Sequence, residues 1–153
     1  MSVNRRDFIK TAAAVGASIA WVGNARASRS NWKQSSEHFP EGVASGDPDP
    51  HSVILWTRRP FTDGTRQLLT VEVADDETFR RVIALAQAPV SSAADWTARV
   101  LIGGLKPART YWYRFTDSDG NGSRVGRTIT APFRLWAMKK GAFSCSALPT
   151  LRA

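Results

Sequence analysis

The sequence predicts an all-β protein: a seven-stranded antiparallel β-sandwich behind an N-terminal leader. Three observations carry this. Beyond residue 38 the apolar residues fall in short runs with period-two alternation. Clusters of Gly, Pro, Asp and Ser separate those runs at near-regular spacing. No stretch of useful length in the same region carries a helical period. Many short strands with turn signals between them are the pattern of two packed sheets.

The elements follow in order. Gly42–Ser45 is a first short strand, stopped by Gly46-Asp47-Pro48-Asp49-Pro50. In that turn Gly46 and Asp47 are expected to fix the backbone while Pro48 and Pro50 stiffen it. Ser52–Arg58 is the second strand, with Val53, Leu55 and Thr57 on one face and Ile54 and Trp56 on the other. Leu68–Ala74 is the third, setting Leu69, Val71 and Val73 against Leu68, Thr70, Glu72 and Ala74. Asp75–Phe79 suits one helical turn or a tight loop. Val82–Ala88 is the fourth strand, ended by Pro89, and Thr97–Ile102 the fifth, closed by Gly103-Gly104. Thr110–Thr116 is the sixth, Asp117–Ser123 a turn, and Arg124–Thr130 the seventh.

The leader has its own signature. Arg5-Arg6 is followed by Asp7, Phe8, Ile9 and Lys10, then by uncharged residues from Thr11 to Gly23. Ala25-Arg26-Ala27 is a small-x-small site suited to signal peptidase. Arg5, Arg6, Phe8 and Lys10 with Ala25 and Ala27 read as a twin-arginine export signal over residues 1–27. An ordinary secretory signal or an uncleaved amphipathic anchor is the alternative. Arg26 beside the cleavage site and the weak hydrophobicity of the middle favour the twin-arginine route. The apolar stretch is shorter than the roughly 20 residues a membrane span needs. The expected partner is the twin-arginine translocase, which moves folded proteins, and the expected destination is the periplasm or the extracellular space.

Of the formal net charge of +8, the leader carries +3. The remainder is scattered, as at Arg58-Arg59, Arg80-Arg81 and Arg124 with Arg127, and reads as a solvated, mildly basic surface. A nucleic-acid binder would gather its basic residues into a stripe or a reading motif, and neither is present. The single cysteine, Cys145, has no partner for an internal disulfide. Residues 28–38 are polar, lack periodicity and read as a linker.

Leu105-Lys106-Pro107 followed by Tyr111-Trp112-Tyr113 resembles the E–F corner of fibronectin type III and immunoglobulin-like domains. Leu105 would plug the end of the core and Pro107 would set the bend. Tyr111 would return its hydroxyl to the corner backbone, with Tyr113 also pointing inward and Trp112 and Arg114 outward. Trp56 would then be the central core aromatic. A longer match names a family. Phe39 to Pro48, Val53 to Arg58, Gly104 to Phe115, Val125 to Thr128 and Ala131-Pro132 together resemble the opening of the PhoD-type alkaline phosphatases. The resemblance implies a twin-arginine signal, an immunoglobulin-like N-terminal domain over 39–132, and a larger metallophosphatase domain beyond it. It also implies a phosphomonoesterase or phosphodiesterase lineage using calcium and ferric iron.

Residues 133–153 fit neither a sandwich strand nor a family linker, and suit a frameshifted or truncated reading. Ala142-Phe143-Ser144-Cys145 faintly resembles the start of the phosphatase domain, where the family's Cys binds iron, so Cys145 is a weak metal candidate. Asp49-Pro50-His51 has the Asp-x-His form of a two-metal site but sits in a Pro-rich turn before a strand. Asp117 to Gly122 opens like a calcium loop, but Thr128 stands where the bidentate Glu is required. No catalytic set is recoverable. The expectation is a non-catalytic N-terminal domain that packs against a catalytic domain and is inactive alone. The alternative is a free-standing secreted binding module with Trp96, Trp112 and Trp136 as stacking platforms.

Overall fold

The computed structural model describes residues 17–28, 31–62 and 66–133. The strands in chain order are β1 (Ala17–Trp21), β2 (Lys33–Gln34), β3 (Val43–Gly46), β4 (Ser52–Arg58), β5 (Gln67–Ala74), β6 (Val82–Val90), β7 (Thr97–Gly103), β8 (Thr110–Thr116), β9 (Asn121–Gly122) and β10 (Gly126–Ile129). One sheet runs β1-β7-β4-β3. The other runs β2-β9-β8-β5-β6, with β10 also paired to β8. All seven predicted strands are present, and their mutual pairings are antiparallel. Three further elements, β1, β2 and β9, make the sheets mixed, because β1 joins β7 and β2 joins β9 in parallel.

Alternation built the core as read. Val53, Leu55 and Thr57 of β4, Leu69, Val71 and Val73 of β5, and Ala98, Val100 and Ile102 of β7 are fully buried between the sheets. Tyr111, Tyr113 and Phe115 of β8 join them, with Tyr113 and Phe115 packed edge to face at 6.4 Å. The expectation for Trp56 needs correction. It stands on the opposite face of β4 from Val53 and Leu55 and is only half-buried. A period-two strand cannot turn Trp56 inward together with Leu55, so the central aromatics are Tyr113 and Phe115.

Pro89 does not end β6, which runs on to Val90 with Pro89 opposite Leu68. As the outermost strand of its sheet, β6 tolerates a residue without an N–H on its unpaired side. Asp75–Phe79 is a tight loop. The Asp76 carboxylate accepts the backbone N–H groups of Thr78, Arg80 and Arg81, and Phe79 takes a left-handed φ of 56°. The Asp76 carboxyl is held below its ordinary range, chiefly by the Thr78 hydroxyl, with those N–H groups adding to it.

Of the expected linker 28–38, the described residues 28 and 31–38 are not free. Trp32 Nε1 donates to the Ser123 carbonyl at 3.1 Å, and Lys33 and Ser35 donate to the carbonyls of Gly120 and Gly122. Its polarity hid this, because backbone groups, one indole and the Ser28 hydroxyl make the attachment.

Candidate functional site

The sequence-read residues gather mainly at one end of the sandwich. The turn after β3 places Asp47, not Gly46, in the left-handed region, at φ 47°. Gly46 ends β3 opposite Ile54 and a Cβ there would meet nothing, so Asp47 supplies the bend. Pro48 is exposed and Pro50 half-buried. The Asp49-Pro50-His51 motif closes on itself: the His51 N–H donates to the Asp49 carboxylate, and His51 Nδ1 lies 3.0 Å from the Leu105 carbonyl. His51 is thereby a strut between the turn and the corner.

At the corner, Leu105 is buried and donates its N–H to the His51 carbonyl. The Tyr111 hydroxyl accepts the Lys106 N–H at 2.9 Å. Pro107 precedes Ala108, which takes a left-handed φ of 51°. The buried Thr130 hydroxyl donates to the Lys106 carbonyl and accepts the Arg109 N–H, locking the corner to the chain's exit from β10. Tyr113 lies over Gly126, where a Cβ would come within 2.4 Å of the ring. Burial pushes the Tyr113 hydroxyl up, with a hydrogen bond to Ser45 opposing.

Two buried ion pairs were not legible as such. Arg59 donates to Asp117 at 2.9 and 3.2 Å and to the Pro60 carbonyl, with its guanidinium 4.1 Å from the Phe61 ring centre. Arg114 donates to Glu72 at 2.9 and 3.0 Å and lies between Phe79 at 4.1 Å and Trp32 at 4.9 Å. The reading of Arg59 as part of a solvated surface is therefore corrected, and Arg114, although on the outward face of β8, is buried under a roof. Burial raises the Asp117 carboxyl, but the Arg59 guanidinium and the Asn121 hydrogen bonds outweigh it and hold it below the ordinary range. The Asp117–Gly122 loop spends Asp117 on Arg59 and on the N–H groups of Asp119 and Asn121. Among the described residues no group of three His, Cys, Asp or Glu could hold a metal ion.

The tryptophans offered as stacking platforms are mostly occupied. Trp96 is buried against Phe61 at 5.5 Å, and Trp112 is half-buried against the cluster of Ala74, Phe79 and Val82. Trp136, Cys145 and the leader residues Arg5, Arg6, Phe8 and Lys10 lie outside the described residues. Ala25 and Ala27 are exposed. No helix among the described residues is long and apolar enough to cross a membrane.

Comparisons with known proteins bear on this arrangement. The profile described as "PhoD-like phosphatase, N-terminal domain" matches residues 24–132. That of the twin-arginine translocation pathway signal sequence matches residues 2–20. Alkaline phosphatase D of Bacillus subtilis (strain 168) is 36% identical over 141 residues, which are 84% of this chain and 24% of that protein. A solved structure described as that of PhoD superposes with a TM-score of 0.61 at 35% identity, covering 64% of this chain and 20% of the other. The sensor domain of an anti-sigma factor from Pseudobacteroides cellulosolvens superposes at 0.50 with 11% identity, covering 72% of this chain and 92% of that one, a likeness of fold alone. The chain thus spans about a quarter of the length of the alkaline phosphatase it resembles.

Proposed function

This chain belongs to the PhoD-like phosphatase family through that family's N-terminal domain, and we propose that its sandwich is a non-catalytic domain built to pack against a phosphatase catalytic domain. A twin-arginine signal at the front marks it for export. The carrying observation is what stands where the matched region ends. Ile129 and Phe133 are 59% and 64% exposed there, while the corner beneath them is tightly bonded. Exposed large apolar residues beside a rigid corner suit burial against a following domain.

The calcium and ferric iron implied by the family resemblance would belong to that catalytic part. The described residues do not fit either ion, so no chemical step is assigned to them. Cys145 is kept as a weak candidate for iron, outside the described residues. In the complete protein the sandwich would shape or shield the entrance to the phosphoester site.

The test has two arms. Expressed alone with calcium and ferric iron supplied, the chain should hydrolyse p-nitrophenyl phosphate no faster than a boiled control; clear turnover would overturn the reading. Joined to the remainder of the Bacillus relative, the double substitution Ile129→Asp with Phe133→Asp should lower activity or thermal stability of the hybrid. Unchanged activity and melting would remove the packing role.

A further inference from the structure

Residues 17–28 bridge the open flank of the sandwich. Among the described residues β7 would be the last strand of its sheet and β6 is the last of the other, so this flank presents two unpaired edges. β1 covers the first edge in parallel register, from Ala17 opposite Arg99 to Trp21 opposite Gly103. The Val22 N–H then donates to the Gly103 carbonyl, and the chain crosses over. On the second edge the N–H groups of Gly23, Arg26 and Ser28 donate to the carbonyls of Ile83, Val82 and Phe79, and Val82 returns its N–H to Arg26 at 2.7 Å. The staple also packs. Ala20 is buried in the main core cluster, and the Trp21 indole covers Gly103, where a Cβ would lie 2.8 Å from the ring. A ladder that changes sheets in midcourse satisfies two edges that would otherwise pair with other chains.

This segment includes the last residues of the export signal, which the profile places at 2–20, and the small-x-small site at Ala25-Arg26-Ala27. We infer that in the unprocessed precursor the folded domain holds the apolar end of its own export signal as an extra strand. The signal is then in a docked and a released state, and engagement of the translocase competes with docking. The surface that binds it is the two neighbouring edges of β6 and β7, and its occupant is this chain's own leader.

The contact can be broken from either side. Gly103→Val leaves the leader sequence intact and fills the space under Trp21. Ala20→Arg leaves the domain intact and places a charge where only an apolar methyl is buried. Amide hydrogen exchange on the purified full-length precursor reads the result directly. Amides of Val22, Gly23 and Arg26 should exchange at least about tenfold more slowly than in a peptide of residues 1–27, because they are bonded to the domain. Both substitutions should abolish that protection while the β4 amides stay protected. Should Gly103→Val unfold the domain, seen as lost protection in β4, Ala20→Arg decides alone. Exchange in the wild-type leader at the peptide's rate would overturn the inference, as would protection that survives Ala20→Arg. A released leader should also raise the rate of export, so Gly103→Val precursor should clear the cytoplasm faster than wild type.

Discussion

The two buried ion pairs solve one problem in two ways. Each guanidinium is covered by aromatic rings and meets its carboxylate edge-on, Arg59 with Phe61 and Asp117, Arg114 with Phe79, Trp32 and Glu72. They differ in what holds the acid. Asp117 is fixed by its own hairpin, through the N–H groups of Asp119 and Asn121. Glu72 is fixed by Arg114 on the neighbouring strand and by Ser28 Oγ, at 2.8 Å. The bonds that complete Asp117 come from its own hairpin; those that complete the second pair require Ser28 and Trp32 to lie across the sheet. Burial of a charge is tolerable where its partner and remaining hydrogen bonds are in place, and the two pairs secure that condition at different sequence distances.

Substitutions can break this contrast. Arg114→Ala leaves Glu72 charged and buried without its partner and should cost about 3–5 kcal/mol, the largest effect, in a urea unfolding curve. Asp117→Asn retains the acceptor for the loop N–H groups and should cost about 2 kcal/mol. Its cost should also depend on pH. Because the folded Asp117 carboxyl lies below its ordinary value of 3.8, its contribution is complete above that value and disappears as pH falls through the lower folded value. The gap between wild type and Asp117→Asn should therefore shrink as unfolding is measured at pH values below 3.8; a gap unchanged to the lowest accessible pH would contradict it.

A third substitution sharpens the roof. A Cβ on Gly122 would fall 1.9 Å from the Trp32 ring, so Gly122→Ala should cost about 1–2 kcal/mol through displaced packing. In a background carrying Trp32→Ala the same change should cost almost nothing, which a double-mutant cycle measures. The smallest effect belongs to the neighbour of Arg59. Arg58 pairs with Glu41 and Asp95 at the surface, and Arg58→Ala should leave the urea midpoint unchanged within error.

Adjacent residues also show what the sequence made legible. Arg58 and Arg59 are alike in composition, and only alternation along β4 and the turn after it separates surface from interior. The core faces of β4, β5, β7 and β8 followed from period two, and the Leu105 to Tyr111 corner from its residue types. The parity that puts Leu55 inside keeps Trp56 out of the core, against the role its aromatic type suggests. Glu72 and Arg114 become neighbours only once β5 and β8 are known to pair, a long-range fact that no local pattern carries. Trp32, the lone large ring in a polar stretch, is the sign in the sequence that the described part of this stretch is attached. Of the two residues expected to fix the turn after β3, only Asp47 takes the left-handed conformation.

The attachment of the front of the chain has a consequence in time. Trp21 and Gly103, its partner on β7, are 82 positions apart. At translation rates of about 5–20 residues per second, the leader is out of the ribosome for several seconds before the strands that receive it exist. During synthesis the end of the export signal has no strand to dock on, and it becomes covered only when β6 and β7 have arrived and closed. A docked leader would therefore report that the two strands flanking the open side have been made and brought together.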